Sequence, residues 1–116
     1  MEFIEAPAFT RMATSYLSDD DYRGLQTYLV RAPGAGDVMP GTGGFRKVRW
    51  ADRKRGKGRR GGLRVIYYYF EAEQQIWLIT LYGKNEMEEL SAGQKRELRE
   101  AIERECAARE SMRRRR

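Results

Sequence analysis

The sequence predicts a small α+β domain: two N-terminal helices packed on a mainly antiparallel twisted sheet, with a further helix at the C-terminus. Three observations carry that expectation. Apolar residues recur at helical spacing between Pro7 and Arg31. The runs 45–50, 63–70 and 75–82 are β-patterned, and only Glu71-Ala-Glu-Gln74 separates the last two, a hairpin spacing. Ser91-Ala-Gly-Gln94 has the form of a capping box, which opens a helix. At 116 residues the chain is long enough for one domain with a single modest core.

Taken in order, Glu2-Phe-Ile-Glu-Ala6 alternates and reads as a first strand at or near a sheet edge. Pro7 suits the first turn of a helix, where its missing N–H costs nothing. Phe9, Met12, Ala13, Tyr16 and Leu17 supply that helix's apolar face. Ser18 is the expected N-cap of a second helix over 19–31, and Asp19, Asp20 and Asp21 suit its positive end. It buries Tyr22, Leu25 and Tyr28 or Leu29, and it ends before Pro33. Such a helical hairpin can lie on one face of a sheet. Residues 33–44 form a loop on their Gly and Pro content. Its glycines either serve a plain connector or let the backbone approach a ligand closely. Gly41-Thr-Gly-Gly44 matches neither a Walker loop nor a dinucleotide fingerprint.

The strands over 63–70 and 75–82 are apolar on both faces, which places them mid-sheet, covered on one side and partly lined on the other. The C-terminal helix has a narrow apolar stripe, Leu98, Ala101, Ile102 and Cys106, and the i,i+4 pairs Glu100–Arg104 and Glu105–Arg109. Being otherwise charged, it is expected to be weakly anchored and peripheral. The folded domain is expected over 1–110, with 111–116 a basic disordered tail ending in four arginines.

Charge narrows the function. Lys and Arg number 23 against 17 Asp and Glu, a net charge of +6 that favours an anionic partner. Ten of those cations lie between Arg46 and Arg64, where the only acid is Asp52, so phosphate is the natural counter-charge. Histidine is absent, which excludes Ser-His-Asp and Cys-His triads and most zinc sites. Any catalysis then falls to Lys, Arg, Tyr, Glu, Asp or the backbone, and neither cofactor nor metal is expected. The single cysteine, Cys106, leaves no internal disulfide and agrees with a reducing cytoplasm. The acidic start is unlike a secretory signal, and no apolar run approaches the roughly 20 residues that span a bilayer. A cytoplasmic protein without a membrane partner is the expectation.

The candidate site residues follow from strand parity. Lys47 and Arg49 share a face with Phe45, while Arg46, Val48 and Trp50 take the other. Arg64, set between Leu63 and Val65, needs either a buried carboxylate or a phosphate-facing groove. In an antiparallel hairpin, Tyr82, Lys84, Asn85 and Glu86 fall near Arg64: Lys84 as a cation, Asn85 as a hydrogen-bonding group, Glu86 as a base or ion-pair partner. Lys47, Arg49, Arg64, Tyr82, Lys84, Asn85 and Glu86 are the catalytic candidates. RNA contacts are expected from Arg46 and from a mobile, Gly-punctuated loop carrying Arg53, Lys54, Arg55, Lys57, Arg59 and Arg60. Tyr68 shares a face with Arg64 and can stack on a base. Plainer readings stand beside these: a solvated basic face, core packing for Tyr67 and Tyr69, and a polar lead into a helix for Glu86, Glu88 and Glu89.

Taken together, three stretches carry a resemblance: Gly41-Thr-Gly-Gly-Phe-Arg-Lys-Val-Arg-Trp50, Gly61-Gly-Leu-Arg-Val-Ile-Tyr-Tyr68 and Leu81-Tyr-Gly-Lys-Asn-Glu86 followed by Leu90-Ser91. The chain resembles the HigB branch of the RelE toxin family, over nearly its whole length and including the link Tyr16-Leu-Ser-Asp-Asp-Asp-Tyr22. The resemblance implies a small microbial-RNase-like (RelE-like) fold and a bacterial type II toxin that cleaves mRNA on the ribosome. It also implies a co-encoded antitoxin with a helix-turn-helix domain, DNA being reached only through that partner. The family's paired strand cations fall on Lys47 and Arg49, and its next strand arginine on Arg64. Two departures stand out: the family has a basic residue where this chain has Asn85, and the catalytic tyrosine of some relatives has no counterpart near Ser91.

The implied chemistry is metal-independent attack of a ribose 2′-hydroxyl on the adjacent phosphodiester. Arg49 and Arg64 would stabilise charge, Lys47 would act as a clamp or base, and Tyr82 or Glu86 would stand in for the missing activator. Two other functions use the same groove: a non-catalytic RNA- or ribosome-binding translation inhibitor, and a protein-interaction domain for an acidic peptide.

Overall fold

The structure is a computed structural model and describes residues 1–58, 62–84, 86 and 89–115. Along the described chain run β1 (Glu2–Glu5), α1 (Pro7–Tyr16), α2 (Asp19–Arg31), β2 (Asp37–Val38), β3 (Arg46–Trp50), β4 (Leu63–Phe70), β5 (Gln75–Gly83) and α3 (Ala92–Arg114). The sheet order is β1-β5-β4-β3-β2. β1 lies parallel to β5, and the other neighbours are antiparallel, so the domain is α+β around a five-stranded mixed sheet. A strand therefore precedes the two helices, at the sheet edge expected for it. The short β2 is an addition: it forms inside the segment expected to be loop, where Asp37 pairs with Lys47 and Val38 with Arg46.

Local chemistry places the first two helices as expected. Pro7 opens α1, and the Ser18 side chain accepts from the Asp21 N–H at 3.0 Å to cap α2 behind three acids. Both helices lie on one sheet face. Phe9, Ala13, Tyr16, Leu25 and Leu29 pack there against Val48, Leu63, Val65, Tyr67, Ile76, Leu78 and Leu81. Each large apolar side chain fully buried in that layer is worth about 1.5–3 kcal/mol. Tyr67 is fully buried with its hydroxyl satisfied: it donates to Pro33 O at 2.7 Å and accepts from Gly36 N at 3.0 Å.

One bulge keeps this face apolar. Ile66 pairs with Thr80 but Tyr67 pairs with Leu78, so Ile79 is an extra residue on β5. The insertion lets Leu81 and Leu78, an odd number of residues apart, both reach the α1–α2 layer.

The second face is covered too. α3 docks there along a narrow strip: Ile102, 2% exposed and the helix's one buried residue among those described, joins Leu90 from the preceding segment over Met39, Phe45, Ile66, Phe70 and Tyr82. Its charges anchor it as well. The Arg109 guanidinium lies 3.7 Å from the Phe70 ring centre and bonds Glu105 at 2.8 Å and Gln75 at 2.7 Å. Arg113 reaches Glu73 in the β4–β5 turn at 2.7 Å. The helix consequently runs through Arg114, across most of the segment expected to be a disordered tail, while Arg116 lies outside the described residues.

The glycine loop serves this docking. Gly43 has φ +79°, and a Cβ there would sit 2.9 Å from Ile102 Cγ2. Its close approach is to α3, not to a ligand. Beside it the buried Thr42 hydroxyl donates to Met39 O at 2.7 Å and accepts from Phe45 N at 3.1 Å, holding the turn. No described helix is long and apolar enough to cross a membrane.

A cationic row beside a cleft at the β3 edge

The register assembles part of the expected site. Arg49 of β3 stands directly opposite Arg64 of β4, and Arg64 directly opposite Tyr82 of β5. Directly paired residues share a face, and Lys47, two positions from Arg49, shares it too. Like charges directly opposite in a sheet repel. Lys47 in turn stands opposite Asp37 of β2.

β2 is too short to cover β3, and the uncovered edge borders a cleft of about 480 Å³. Lys47 and Arg49 line it from the sheet, and Lys95 lines it from the first turns of α3. Tyr28, Val38, Met39 and Leu90 supply apolar wall, and Asp37 and Glu89 supply carboxylates. Lys95 and Glu89 are absent from the expected site. A signal for them exists in the capping box, which forms: Ser91 Oγ accepts from Gln94 N at 3.1 Å, and Gln94 Oε1 accepts from Ser91 N at 2.8 Å. That box fixes where α3 starts, but only docking of α3 on the sheet turns Lys95 toward β3. Ser91 itself is occupied by capping.

Arg64 and Tyr82 lie behind the cleft. Arg64 is 9% exposed, and its Nη1 donates to Leu63 O at 3.3 Å. Tyr82 is 4% exposed, and its buried hydroxyl has no hydrogen-bond partner among the described residues. Burial pushes the Tyr82 phenol up from its ordinary pKa, the Arg64 guanidinium draws it back, and the Glu89 charge raises it further. At neutral pH Tyr82 is therefore a neutral donor and not a base.

Other candidates go elsewhere. The Tyr16 hydroxyl donates to the Glu86 carboxylate, which places Glu86 on the α1–α2 side of the sheet, away from Arg64. The turn closed by Glu86 N to Gly83 O at 3.0 Å sends it there, because a Gly83 side chain would point to that same layer. Lys84 is exposed, and its backbone N–H extends the β4–β5 ladder to Gly62 O at 3.1 Å. Arg59, Arg60 and Asn85 lie outside the described residues, as does Glu88.

Of the mobile basic loop expected over 51–61, the described part, 51–58, is not a free arm. A bridge between Asp52 and Lys57 closes it around a short 3₁₀ turn, Arg53–Arg55. Three of its described cations are bonded, Arg53 to Asp21 at 3.2 Å, Lys54 to Thr14 O at 2.8 Å, and Arg55 to the buried Asp52 at 3.4 Å, while Lys57 is exposed. Arg55 also lies 4.5 Å from the centre of the Tyr16 ring. Arg46 faces the helical layer and donates to Gly34 O and Gly36 O at 3.2 and 2.8 Å. Tyr68 packs on Phe45 and Phe70 at 5.3 and 4.7 Å between ring centres, beneath α3 rather than at an open surface. Among the described residues the cations that line the cleft are Lys47, Arg49 and Lys95, with Arg64 behind them. No protein-family model matches the chain.

Proposed function

We propose that this protein is the toxin of a type II toxin–antitoxin pair, of the HigB branch of the RelE family, acting as a ribosome-dependent mRNA endonuclease. One observation carries the reading: Arg49 and Arg64 face each other across β3 and β4, while Lys47, Arg49 and Lys95 border a single cleft. Such an arrangement suits one phosphodiester. Guanidinium bridges two phosphate oxygens and stays protonated, so Arg49 binds the scissile phosphate, and Lys47 and Lys95 hold it as point charges. The buried Arg64 contributes fixed positive potential whose attraction for the phosphate grows as negative charge builds on the phosphorane, at no cost of reorganisation during reaction. Positioning by the ribosome supplies the alignment of the 2′-hydroxyl. A co-encoded antitoxin with a helix-turn-helix domain is the expected partner, with promoter DNA reached through it.

The test is to add purified protein to a translating extract and map message ends. New ends inside translated messages, lost in Arg49→Ala and Arg64→Ala proteins of unchanged fold, support cleavage. Blocked translation with intact messages favours an inhibitor that acts by occupancy, and a fully toxic, well-folded Arg64→Ala protein removes Arg64 from the site.

A further inference from the structure

Resting on that reading, we infer that Glu89 is the group that takes the proton from the attacking 2′-hydroxyl. The cleft supplies the geometry. Among its described lining residues the carboxylates are Asp37 and Glu89, and the cations Lys47, Arg49 and Lys95 surround them. A carboxylate among cations competes with phosphate for the same charges, so its presence in an anion cleft asks for a purpose. Asp37 has one, since it stands directly opposite Lys47 on β2. Glu89 has no such strand partner: it sits in the segment between β5 and α3, exposed at the cleft mouth.

Glu89 also connects the cleft to the row behind it. Its charge acts on the Tyr82 hydroxyl, on which the Arg64 guanidinium acts in the opposite sense, so the carboxylate lies within electrostatic reach of that hydroxyl. Of the other candidates for a base, Glu86 is bound by Tyr16 beyond the sheet, and Tyr82 is held neutral and buried. With no histidine in the chain, Glu89 is the proton acceptor that the described cleft offers. The described groups that share the cleft with it are Lys47 and Arg49 from β3, Asp37 from β2 and Lys95 from α3, and Tyr82 senses it from behind.

The step balances without a cofactor. The 2′-hydroxyl proton passes to the Glu89 carboxylate as the 2′-oxygen forms its bond to phosphorus. The bond from phosphorus to the 5′-oxygen breaks, and that oxygen leaves with a proton from water. The products are a 2′,3′-cyclic phosphate and a 5′-hydroxyl, and Glu89 then returns its proton to water.

The experiment measures message cleavage by the full chain on programmed ribosomes across pH 5 to 9, for wild type, Glu89→Gln, Glu89→Asp and Asp37→Asn. Glu89→Gln is isosteric, and circular dichroism and thermal midpoint verify its fold. The expected result is a loss of about 10²-fold or more for Glu89→Gln. Ribosome association should be unchanged in that variant, and Glu89→Asp should restore the cleavage rate in part. A Glu89→Gln protein that cleaves with the wild-type rate and profile overturns the assignment while leaving the endonuclease reading intact. So does a loss of that size in Asp37→Asn alone. Wild-type protein that leaves every message whole overturns both.

Discussion

Gly43→Ala tests whether the glycine loop is a seat for α3, as its contacts indicate, or a cradle for phosphate. At φ +79° an L side chain is strained by about 1–2 kcal/mol. The new methyl would also meet Ile102 Cγ2 at 2.9 Å, Arg99 Cγ at 3.3 Å and Arg99 Cα at 3.5 Å. The 2.9 Å approach to Ile102 is closer than real Cβ contacts come and the one to Arg99 Cγ is tight, so these α3 side chains must shift, and overpacking of this kind costs about 1–3 kcal/mol. Gly56→Ala is the matched control: its φ is +66°, yet nothing lies within 4 Å of the added carbon. Both substitutions carry the same backbone strain and the same gain from a stiffer unfolded chain. Their difference isolates the packing term, so Gly43→Ala should be the less stable by about 1–3 kcal/mol in urea or guanidinium unfolding. Because Leu90, Lys95 and Glu89 ride on α3 and its approach, the message cleavage proposed for this protein should fall as well. Equal midpoints for the two variants would refute the seat. Lost RNA binding at unchanged stability would identify a ligand cradle instead.

Three further outcomes are expected. Tyr82→Phe removes a buried hydroxyl that has no described partner, so stability should hold or rise by up to about 1–2 kcal/mol in denaturant titration. The Tyr82 pKa is raised on folding, so its neutral form contributes stability that is present below about pH 10 and lost as pH climbs above it; the Phe variant should lose less stability on going from pH 9 to pH 11. Tyr16→Phe keeps the ring beneath Arg55 but loses the bond to Glu86, which should cost about 1–2 kcal/mol, and Tyr16→Leu should cost more. Arg113→Ala breaks an exposed pair with Glu73 and should cost under about 1 kcal/mol, less still in high salt; a larger loss would mean that the last turns of α3 carry more of its anchoring than this pair.

Much of the fold was legible because its signals are local. Pro7, the Ser18 cap and the Ser91 capping box each act within four residues, and the helices begin where those residues place them. Strand parity put Lys47 and Arg49 on one face, and hairpin pairing brought Tyr82 to Arg64. The bulge at Ile79 had no such signal, since it arises from fitting two helices onto β5. Nor did the fate of the basic loop: Arg53, Lys54 and Arg55 read as free charge until Asp21, Thr14 and Asp52 are brought beside them.

From the residues alone came the α+β class, the placement of most helices and strands, the concentration of cations around β3, and a chemistry that must do without imidazole. Each depends on backbone preference, side-chain alternation or composition, which need no knowledge of distant neighbours. Which cations face the cleft was decided by packing. α3 had to settle on the second face before Lys95 and Glu89 could meet β3, and a helix so charged shows its docking side only when Phe45, Phe70 and Gly43 are there to receive it.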